Sequence, residues 1–364
     1  MEKIDRLSAI ETIGLITTVM VNQIIFNIPN IILQSSGSSA WLNIIFIGII
    51  AILFVKIICQ IFNKFPNQDI VDVAKFAGGN TFKTIVGIIY MLFFLIYNIF
   101  CISYFANALL LIYFPSTPVI VLIMLFIFPI MIMAKYGLKS ISSVNLVFIP
   151  FVLLSVFILF FGSADNFVFE RLFPILGLGI KETFLYGLTN LFSFLGLAYL
   201  FFINPYLKDS KDFKKISYIS VIISFIYLFL AIFCLLLSFS FITSNEQLFS
   251  IYLLTRLLQF GNFLQRVDAI FILLWIFNTF CFCSFGCFYI MQIFKKLTNI
   301  KNSKILIYPL SAITFCGALV FNNIASIKYI TQFFYKYISL PIIFILSPII
   351  LILANLKYKK QKKG

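Results

Sequence analysis

Polar side chains inside long apolar runs are the residues of this sequence best suited to hold a small molecule. The first run reads VNQIIFNIP from Val21 to Pro29, with three amides, Asn22, Gln23 and Asn27, before the proline. A polar group in hydrocarbon is costly unless it faces a cavity or a partner helix, and proline removes a helical hydrogen bond and crowds the carbonyl four residues earlier. The run therefore predicts a kinked or unwound helix whose amides can reach a ligand.

A second interrupted run lies in the other half of the chain. It carries Asn190, Ser193 and Gly196 near its centre and ends at Asn204-Pro205. Asn190 and Ser193 are three residues apart, so they lie on one helical face. Interrupted helices at matching positions in two halves are typical of inverted-repeat transporters, whose substrate lies at the membrane midplane between them. We therefore predict that Asn190, Ser193 and Gly196 share a midplane site with the first run.

The third apolar run offers a semi-polar face. Tyr90, Tyr97 and Tyr104 recur every seven residues, Cys101 follows Tyr97 by four positions, and Asn98 lies beside them. This face either packs against another helix through hydrogen bonds or forms a wall of the cavity, and the sequence leaves both possibilities open. Tyr97 and Cys101 are the candidate ligand-binding residues of this run.

Two polar features near the eighth run are interpreted as structural. Asn278 and Thr279 lie in its middle, and helix packing is favoured for them over ligand contact. Arg266 and Asp268 precede the run two positions apart, so they do not face each other on a helix. We expect this pair to anchor and cap the run at the membrane surface.

The composition requires the apolar runs to be membrane spans. Hydrophobic residues make up 62% of the 364 positions and charged residues 11%, against about 45–50% and about 25% in soluble domains. So few charges cannot cover a water-facing globule, whereas lipid requires elements that satisfy their own backbone hydrogen bonds. Because the runs are far longer than barrel strands, the sequence predicts an all-α, multi-pass membrane protein.

Ten runs approach the length of about 20 apolar residues that a bilayer requires. The first five cover 10–33, 41–62, 85–112, 118–133 and 144–161, and the second five cover 183–203, 216–242, 269–294, 305–321 and 337–356. We predict a first five-helix repeat over residues 1–162, an outer connection over 163–182, and an inverted second repeat over 183–364 that ends in a Lys-rich tail.

The positive residues set the predicted orientation. Most of the 27 Lys and Arg residues fall in alternate connections and at the two ends of the chain, which the positive-inside rule assigns to the cytoplasm. Both termini are therefore predicted to be cytoplasmic. Glu2 and Asp5 precede the first run and no small-residue cleavage site follows it, so we expect the run to remain as a span rather than to act as a removed signal peptide.

The residue types disfavour several chemistries. The chain has no His, so neither a His-based metal site nor a His general base is available, and its cysteines lie in apolar runs, where they act as small hydrophobes. We predict no metal, no cofactor, no nucleic-acid partner and no enzymatic activity. The enzyme hypothesis would regain support if Asp165, Glu170 and Glu182 proved to be essential acids. No run carries a charge at its middle, which removes the usual group for proton coupling.

The outer connection over residues 243–268 contains a predicted amphipathic helix. Leu253, Leu254, Leu257 and Leu258 recur at helical spacing around Arg256. The helix either covers the outer face of this protein or presents a surface to a partner, and the sequence favours neither.

Three segments give the chain a resemblance to a known family. They are the stretch IIFNIP of the first run with the following Ser-Gly and Trp41, the segment FPILGLG over 173–179, and the segment FLQRVDA over 263–269 that leads to Trp275. Together with the size and the ten runs, these segments make the chain similar to the B subunits of bacterial spore nutrient germinant receptors. Those subunits form the spore germination permease branch of the amino acid–polyamine–organocation superfamily.

The resemblance implies a LeuT-like, amino acid permease-like core with a small-nutrient pocket between the first and sixth helices. It implies that the protein senses a nutrient such as an amino acid, together with a larger membrane receptor subunit and a lipoprotein subunit of the same complex. The implied location is the lipid bilayer of the spore inner membrane. The alternative function is that of an amino acid permease in the bacterial cell membrane that translocates its substrate.

Overall fold

The computed structural model describes residues 6–26, 28–240, 249–258, 266–321 and 323–363. Asn27 of the candidate site therefore lies outside the described residues, as does the start of the FLQRVDA segment. Within these ranges every regular element is a helix, and Leu7 pairs with Leu207 only as an isolated parallel bridge. The all-α prediction is confirmed.

The described residues form helices of three kinds. The α-helices are α1 Ala9–Val21, α2 Ile28–Ser36, α3 Ala40–Phe62, α4 Ile70–Ile112, α5 Val119–Tyr136, α6 Leu138–Gly162, α7 Leu197–Ile203, α8 Asp212–Ser238, α9 Ser250–Leu257, α10 Val267–Thr298, α11 Ile307–Val320, α12 Ile324–Phe333 and α13 Ser347–Lys363. The 3₁₀ turns are Asn22–Ile24, Gly37–Ser39, Ala164–Asn166, Phe169–Leu172, Tyr186–Phe194, Asn204–Tyr206 and Ser303–Leu306. The π segments are Lys181–Leu185, Phe334–Ser339 and Ile342–Leu346.

Long apolar helices confirm that this is a multi-pass membrane protein. In the described ranges, eight helical stretches are long and apolar enough to cross a membrane, or nine when the bent sixth span is included. The stretch Ala9–Ile24 is apolar but shorter. The count of ten spans and the cytoplasmic position of the termini stay predictions.

Both predicted interruptions are present. After α1 ends at Val21, one 3₁₀ turn over Asn22–Ile24 precedes α2, which begins at Ile28. Pro29 then lies in the first turn of α2, where a missing N–H breaks no helical hydrogen bond. In the sixth span, the stretch Lys181–Phe194 meets Leu197–Tyr206 at a bend of 44°.

The third span starts well before its apolar run. α4 begins at Ile70 rather than near Ile85, because the Asp69 side chain accepts hydrogen bonds from the Val71 and Asp72 N–H groups and caps the helix. Gly79, at φ 80°, breaks the regular helix between this capped segment and the membrane segment. Hydropathy alone predicts only the membrane segment after Gly79.

α10 is the central helix of the bundle. It packs against α4, α5 and α6, while α1 packs against α6 and α8. Trp275 of α10 is fully buried in the interior, whereas Leu53 and Phe128 are 53% and 63% exposed on the outer surface of the bundle. Exposed apolar side chains of this kind suit contact with lipid chains.

The amphipathic helix of the outer connection is present as α9. It buries Leu254 and exposes Arg256 and Leu257. Tyr252 of α9 lines a small apolar pocket with Ile25 of the first interruption. α9 therefore packs against this protein at the predicted outer face, and its exposed side, with Arg256 and Leu257, is the part that a partner could contact.

The prediction that Asp268 caps the eighth span is wrong. No side chain caps α10 at Arg266. Instead, the Asp268 carboxylate accepts hydrogen bonds from the hydroxyls of Tyr113 at 3.0 Å and Tyr252 at 3.2 Å, and from Arg266 Nε at 3.2 Å. The carboxylate thus ties α9 to the C-terminal end of α4 and the N-terminal end of α10.

Candidate functional site

A single amide ties the first interruption to the third and eighth spans. Asn22 is fully buried, and its Oδ1 accepts hydrogen bonds from Asn278 Nδ2 at 2.9 Å and from Thr279 Oγ1 at 3.4 Å. Its Nδ2 lies 3.9 Å from Cys101 Sγ. The structure thus brings together Asn22 and Cys101, two predicted site residues. Asn278 and Thr279, predicted to serve packing, do join two helices, and they do so at the candidate site.

Gln23 is the unsatisfied residue of this interruption. It is 0% exposed, and neither Nε2 nor Oε1 has a hydrogen-bond partner in the part of the chain that the structure describes. Leaving a buried polar group unpaired costs about 1–3 kcal/mol, so a ligand that offers both an acceptor and a donor would recover that cost. Within the described ranges, Gln23 therefore offers one free donor group and one free acceptor at the first interruption.

The semi-polar face of α4 contains both kinds of residue that the sequence allowed. Asn98 packs α4 on α10, because its Nδ2 donates to the Cys283 carbonyl at 3.2 Å and lies 3.4 Å from Cys287 Sγ. Tyr97 packs its ring against Phe282 at a centroid distance of 5.0 Å, but its buried hydroxyl has no partner among the described side chains and backbone groups. The Tyr97 hydroxyl is thus unpaired on this face among the described residues, as is Asn98 Oδ1.

The sixth span touches the first at its bend. A Cβ at Gly196 would lie 2.5 Å from Met20 Cγ and 3.2 Å from the Met20 backbone nitrogen, so the close approach of the two spans depends on glycine. Ser193, three residues earlier, is 1% exposed, and its Oγ has no partner within the described ranges. Gly196 and Ser193 therefore lie on the sixth span near its contact with the first.

The side chain of Asn190 forms its hydrogen bonds away from Asn22 and Gln23. Its Nδ2 donates to Ser35 Oγ and to Asn43 Oδ1, both at 2.8 Å, and Asn43 Nδ2 donates to the Thr183 carbonyl at 2.7 Å. These bonds connect α2 and the start of the sixth span to α3. Asn190 therefore clamps the predicted outer halves of the interrupted spans, and its side-chain N–H groups are used there rather than on Asn22 or Gln23.

Tyr104 is a residue of this region that the sequence reasoning did not select, although it belongs to the same seven-residue repeat as Tyr97. Its hydroxyl lies 3.5 Å from the Ile25 carbonyl, and its ring packs against Phe26 at 5.1 Å. Tyr104 also lines the apolar pocket beneath α9 with Ile25 and Tyr252. The repeat was the available signal, because it places Tyr97 and Tyr104 on one face of α4.

Charged side chains pair at the predicted cytoplasmic ends of the helices. Lys296 Nζ, near the end of α10, lies 2.5 Å from Asp69 Oδ2 and from Asp72 Oδ2, and Lys139 pairs with Glu11. Burial raises the pKa of the Asp69 carboxyl, and the Lys296 ammonium opposes that rise. Among the residues that the structure describes, no three His, Cys, Asp or Glu side chains form a group that could hold a metal. The polar groups identified at the interruptions are all neutral.

Three solved structures share the fold of this chain. MhsT in complex with L-phenylalanine matches with a TM-score of 0.72 at 16% identity, over 96% of this chain and 89% of that one. A Na⁺-coupled sialic acid symporter gives 0.66 at 13% identity, over 94% and 80%. Mhp1, a nucleobase-cation-symport-1 family transporter, gives 0.61 at 12% identity, over 92% and 78%. These matches establish the fold, and the predicted LeuT-like architecture is confirmed.

Sequence comparison gives the family. Spore germination protein B2 of Bacillus subtilis (strain 168) is 21% identical over 316 residues, which are 85% of this chain and 85% of that protein. The family model described as "Spore germination protein" matches residues 6–327, which is most of the 364 residues. The chain therefore belongs to the spore permease family of spore germination proteins.

Proposed function

We propose that this protein is the transporter-like subunit of a spore germinant receptor and that it binds a small nutrient, an amino acid, where the interrupted first and sixth spans meet. The main support for the proposal is the environment of Gln23. Its amide is fully buried at the first interruption, and both of its polar atoms are unpaired among the described residues. The Tyr97 hydroxyl and Ser193 Oγ, on the third and sixth spans, are buried and unpaired in the same sense. Family membership and the transporter fold support the same function.

Neutral surroundings favour a ligand without net charge. The segments 12–55, 84–134, 183–207 and 269–294 contain no Asp, Glu, Lys or Arg. A charged group buried without a partner is very costly, whereas backbone N–H and C=O groups freed at interrupted helices can hold a carboxylate and an ammonium of one zwitterion. Gln23 would then bind one end of the ligand through its amide.

The receptor role requires partners and two states. We propose that a larger membrane subunit and a lipoprotein subunit read out the arrangement of the interrupted spans in the spore inner membrane, and that the protein has no enzymatic activity. A nutrient shifts such an equilibrium only by its different affinity for the two arrangements.

Translocation of the amino acid is the second candidate function. It is favoured by the fold, which this chain shares with proteins described as a Na⁺-coupled sialic acid symporter and a nucleobase-cation-symport-1 family transporter. The absence of a charged residue at the middle of the spans argues against proton-driven uptake.

The test is binding and uptake of a radiolabelled amino-acid panel in proteoliposomes, with and without ion gradients and with and without the partner subunits. Gln23→Leu and Ser193→Ala are compared with Thr189→Val, which alters an exposed hydroxyl of the sixth span, the span that carries Ser193. We expect saturable binding that Gln23→Leu weakens at least about tenfold through the lost hydrogen bonds, while Thr189→Val changes it little.

The outcomes separate the candidates. Binding without accumulation supports the receptor, and gradient-driven accumulation supports the permease. Absence of binding even with the partner subunits present, or an equal effect of all three variants, contradicts a site at the interruptions.

A further inference from the structure

A polar cavity lies at the end of the sixth span, beyond its bend. Its volume is about 260 Å³, and it opens between the end of α3 and the start of α8, at the predicted cytoplasmic surface. The lining residues are Phe62, Asn63, Pro66, Asn204, Ser210, Lys211, Phe213 and Lys214. Because α3 ends at Phe62 and α8 begins at Asp212, the cavity lies at the predicted level of the lipid headgroups.

The cavity has an excess of unpaired positive charge. The side chains of Lys211 and Lys214 make no ion pair and no hydrogen bond with any residue that the structure describes. Asp209, the nearby acid, accepts the Lys211 backbone N–H at 2.9 Å. Asp212 occupies the first turn of α8 and partly opposes the lysines. The N-terminal end of this 27-residue helix adds its positive dipole to the two ammonium groups.

One buried oxygen in the lining also lacks a donor. Asn204 is 2% exposed, and its Nδ2 donates to the Phe65 carbonyl at 3.0 Å and to the Gln68 carbonyl at 3.3 Å. Its Oδ1 accepts no hydrogen bond from the described residues. A complementary ligand therefore carries a hydrogen-bond donor as well as negative charge.

We infer that this cavity binds a glycerol phosphate group, with the phosphate between the Lys211 and Lys214 ammonium groups and a glycerol hydroxyl donating to Asn204 Oδ1. The headgroup of phosphatidylglycerol and soluble glycerol phosphate share this chemistry. The position at the membrane surface suits the lipid, since lysines at this level attract anionic headgroups. This site does not depend on the midplane nutrient.

The experiment is titration of the purified full chain in neutral detergent, followed by native mass spectrometry. The lipid probes are phosphatidylglycerol, phosphatidylmethanol, which has the phosphate without the hydroxyls, and phosphatidylcholine; sn-glycerol 3-phosphate is added as a competitor. The test variant is K211Q/K214Q. The matched control is K208Q/K215Q, which removes the same charge from the same connection but from two lysines that do not line the cavity.

We expect K211Q/K214Q to weaken phosphatidylglycerol binding about tenfold or more, at least about fivefold beyond the control pair, and phosphatidylmethanol to bind several-fold more weakly than phosphatidylglycerol. If sn-glycerol 3-phosphate displaces bound phosphatidylglycerol, the glycerol phosphate group in the cavity is assigned to the soluble ligand. If it does not, the group is assigned to the lipid headgroup. Equal losses in the two double variants, or phosphatidylcholine binding as tightly as phosphatidylglycerol, would overturn the inference.

Discussion

Buried amides lie in two regions, at the predicted outer halves of the interrupted spans, where Asn43, Thr183 and Asn190 form an outer clamp, and at the first interruption, and the two regions differ in how their polar groups are paired. Asn43 donates to the Thr183 carbonyl and accepts from Asn190. At the first interruption Asn22 accepts a hydrogen bond from Asn278, whereas the Gln23 amide has no partner among the described residues, and neither has the Tyr97 hydroxyl of the third span. Because buried polar groups are nearly always hydrogen-bonded in folded proteins, we distinguish a clamp that fixes the helices from a proposed site whose unpaired groups would bind a ligand.

The ion pair of Lys296 with Asp69, at the predicted cytoplasmic ends of the helices, is expected to contribute most to stability, so its loss has the largest expected effect. Lys296→Met leaves the Asp69 carboxylate, whose side chain is 5% exposed, without its partly buried partner. Breaking a buried pair from one side costs about 3–5 kcal/mol. The measurement is the free energy of unfolding in detergent, with Lys301→Met, an exposed lysine, as the control.

The pH dependence of the same variant tests the cause. Burial raises the pKa of Asp69 in the folded state, and removing Lys296 takes away the charge that opposed the rise. The folded state then binds the proton more tightly than the unfolded state, so stability should increase as the pH falls from about 7 to about 5. A loss of stability that is the same at both pH values would show that the pair acts through packing alone.

Asn43→Ala breaks the outer clamp. The substitution removes one acceptor and one donor at once and leaves the Thr183 carbonyl and one Asn190 N–H group unsatisfied. We expect a loss of about 2 kcal/mol in unfolding free energy, with nutrient affinity reduced only as far as the outer half-helices loosen. A variant that is fully stable but has lost all binding would reverse the roles assigned to the two regions.

Gly196→Ala tests the contact between the interrupted spans. The added methyl group meets Met20 Cγ, and overpacking of this kind costs about 1–3 kcal/mol. Met20→Ala combined with Gly196→Ala should recover part of the loss, and the interaction energy of the double-mutant cycle reports the contact. Simple additivity of the two single effects would place the strain elsewhere.

The fold could be predicted from the sequence because lipid imposes a strict rule on composition. Spans need long apolar runs, and a proline and three amides interrupt the apolar run between Val21 and Pro29. The structure has its first helix interruption at the same place. The capped start of α4 at Ile70 escaped hydropathy, since that segment is polar on one side. A cap at Asp69 with Asp72 three residues later was a usable signal.

The candidate site was harder to predict because its decisive bonds join distant parts of the chain. Periodicity places Asn190 and Ser193 on one face, but it cannot show that Asn190 bonds to Asn43, 147 positions away. Likewise, the bond from Asn278 to Asn22 spans 256 positions. Residue type and spacing identified the polar residues within the predicted spans. Only the three-dimensional contacts distinguish the residues that bond to other helices from the residues of the proposed site.

The smallest expected effect on stability is also the most discriminating. Gln23→Leu keeps the size of the buried side chain and removes two polar atoms that have no partner in the described ranges, so unfolding free energy should stay the same or rise by about 1 kcal/mol. Asn22→Leu, one residue earlier, removes an amide bonded to Asn278 and Thr279 and should lose about 1 to 2 kcal/mol. Thermal unfolding of the two variants without nutrient measures this contrast. Equal destabilisation of both would mean that Gln23 is a packing residue, whereas stability combined with lost nutrient binding in Gln23→Leu assigns its amide to the ligand.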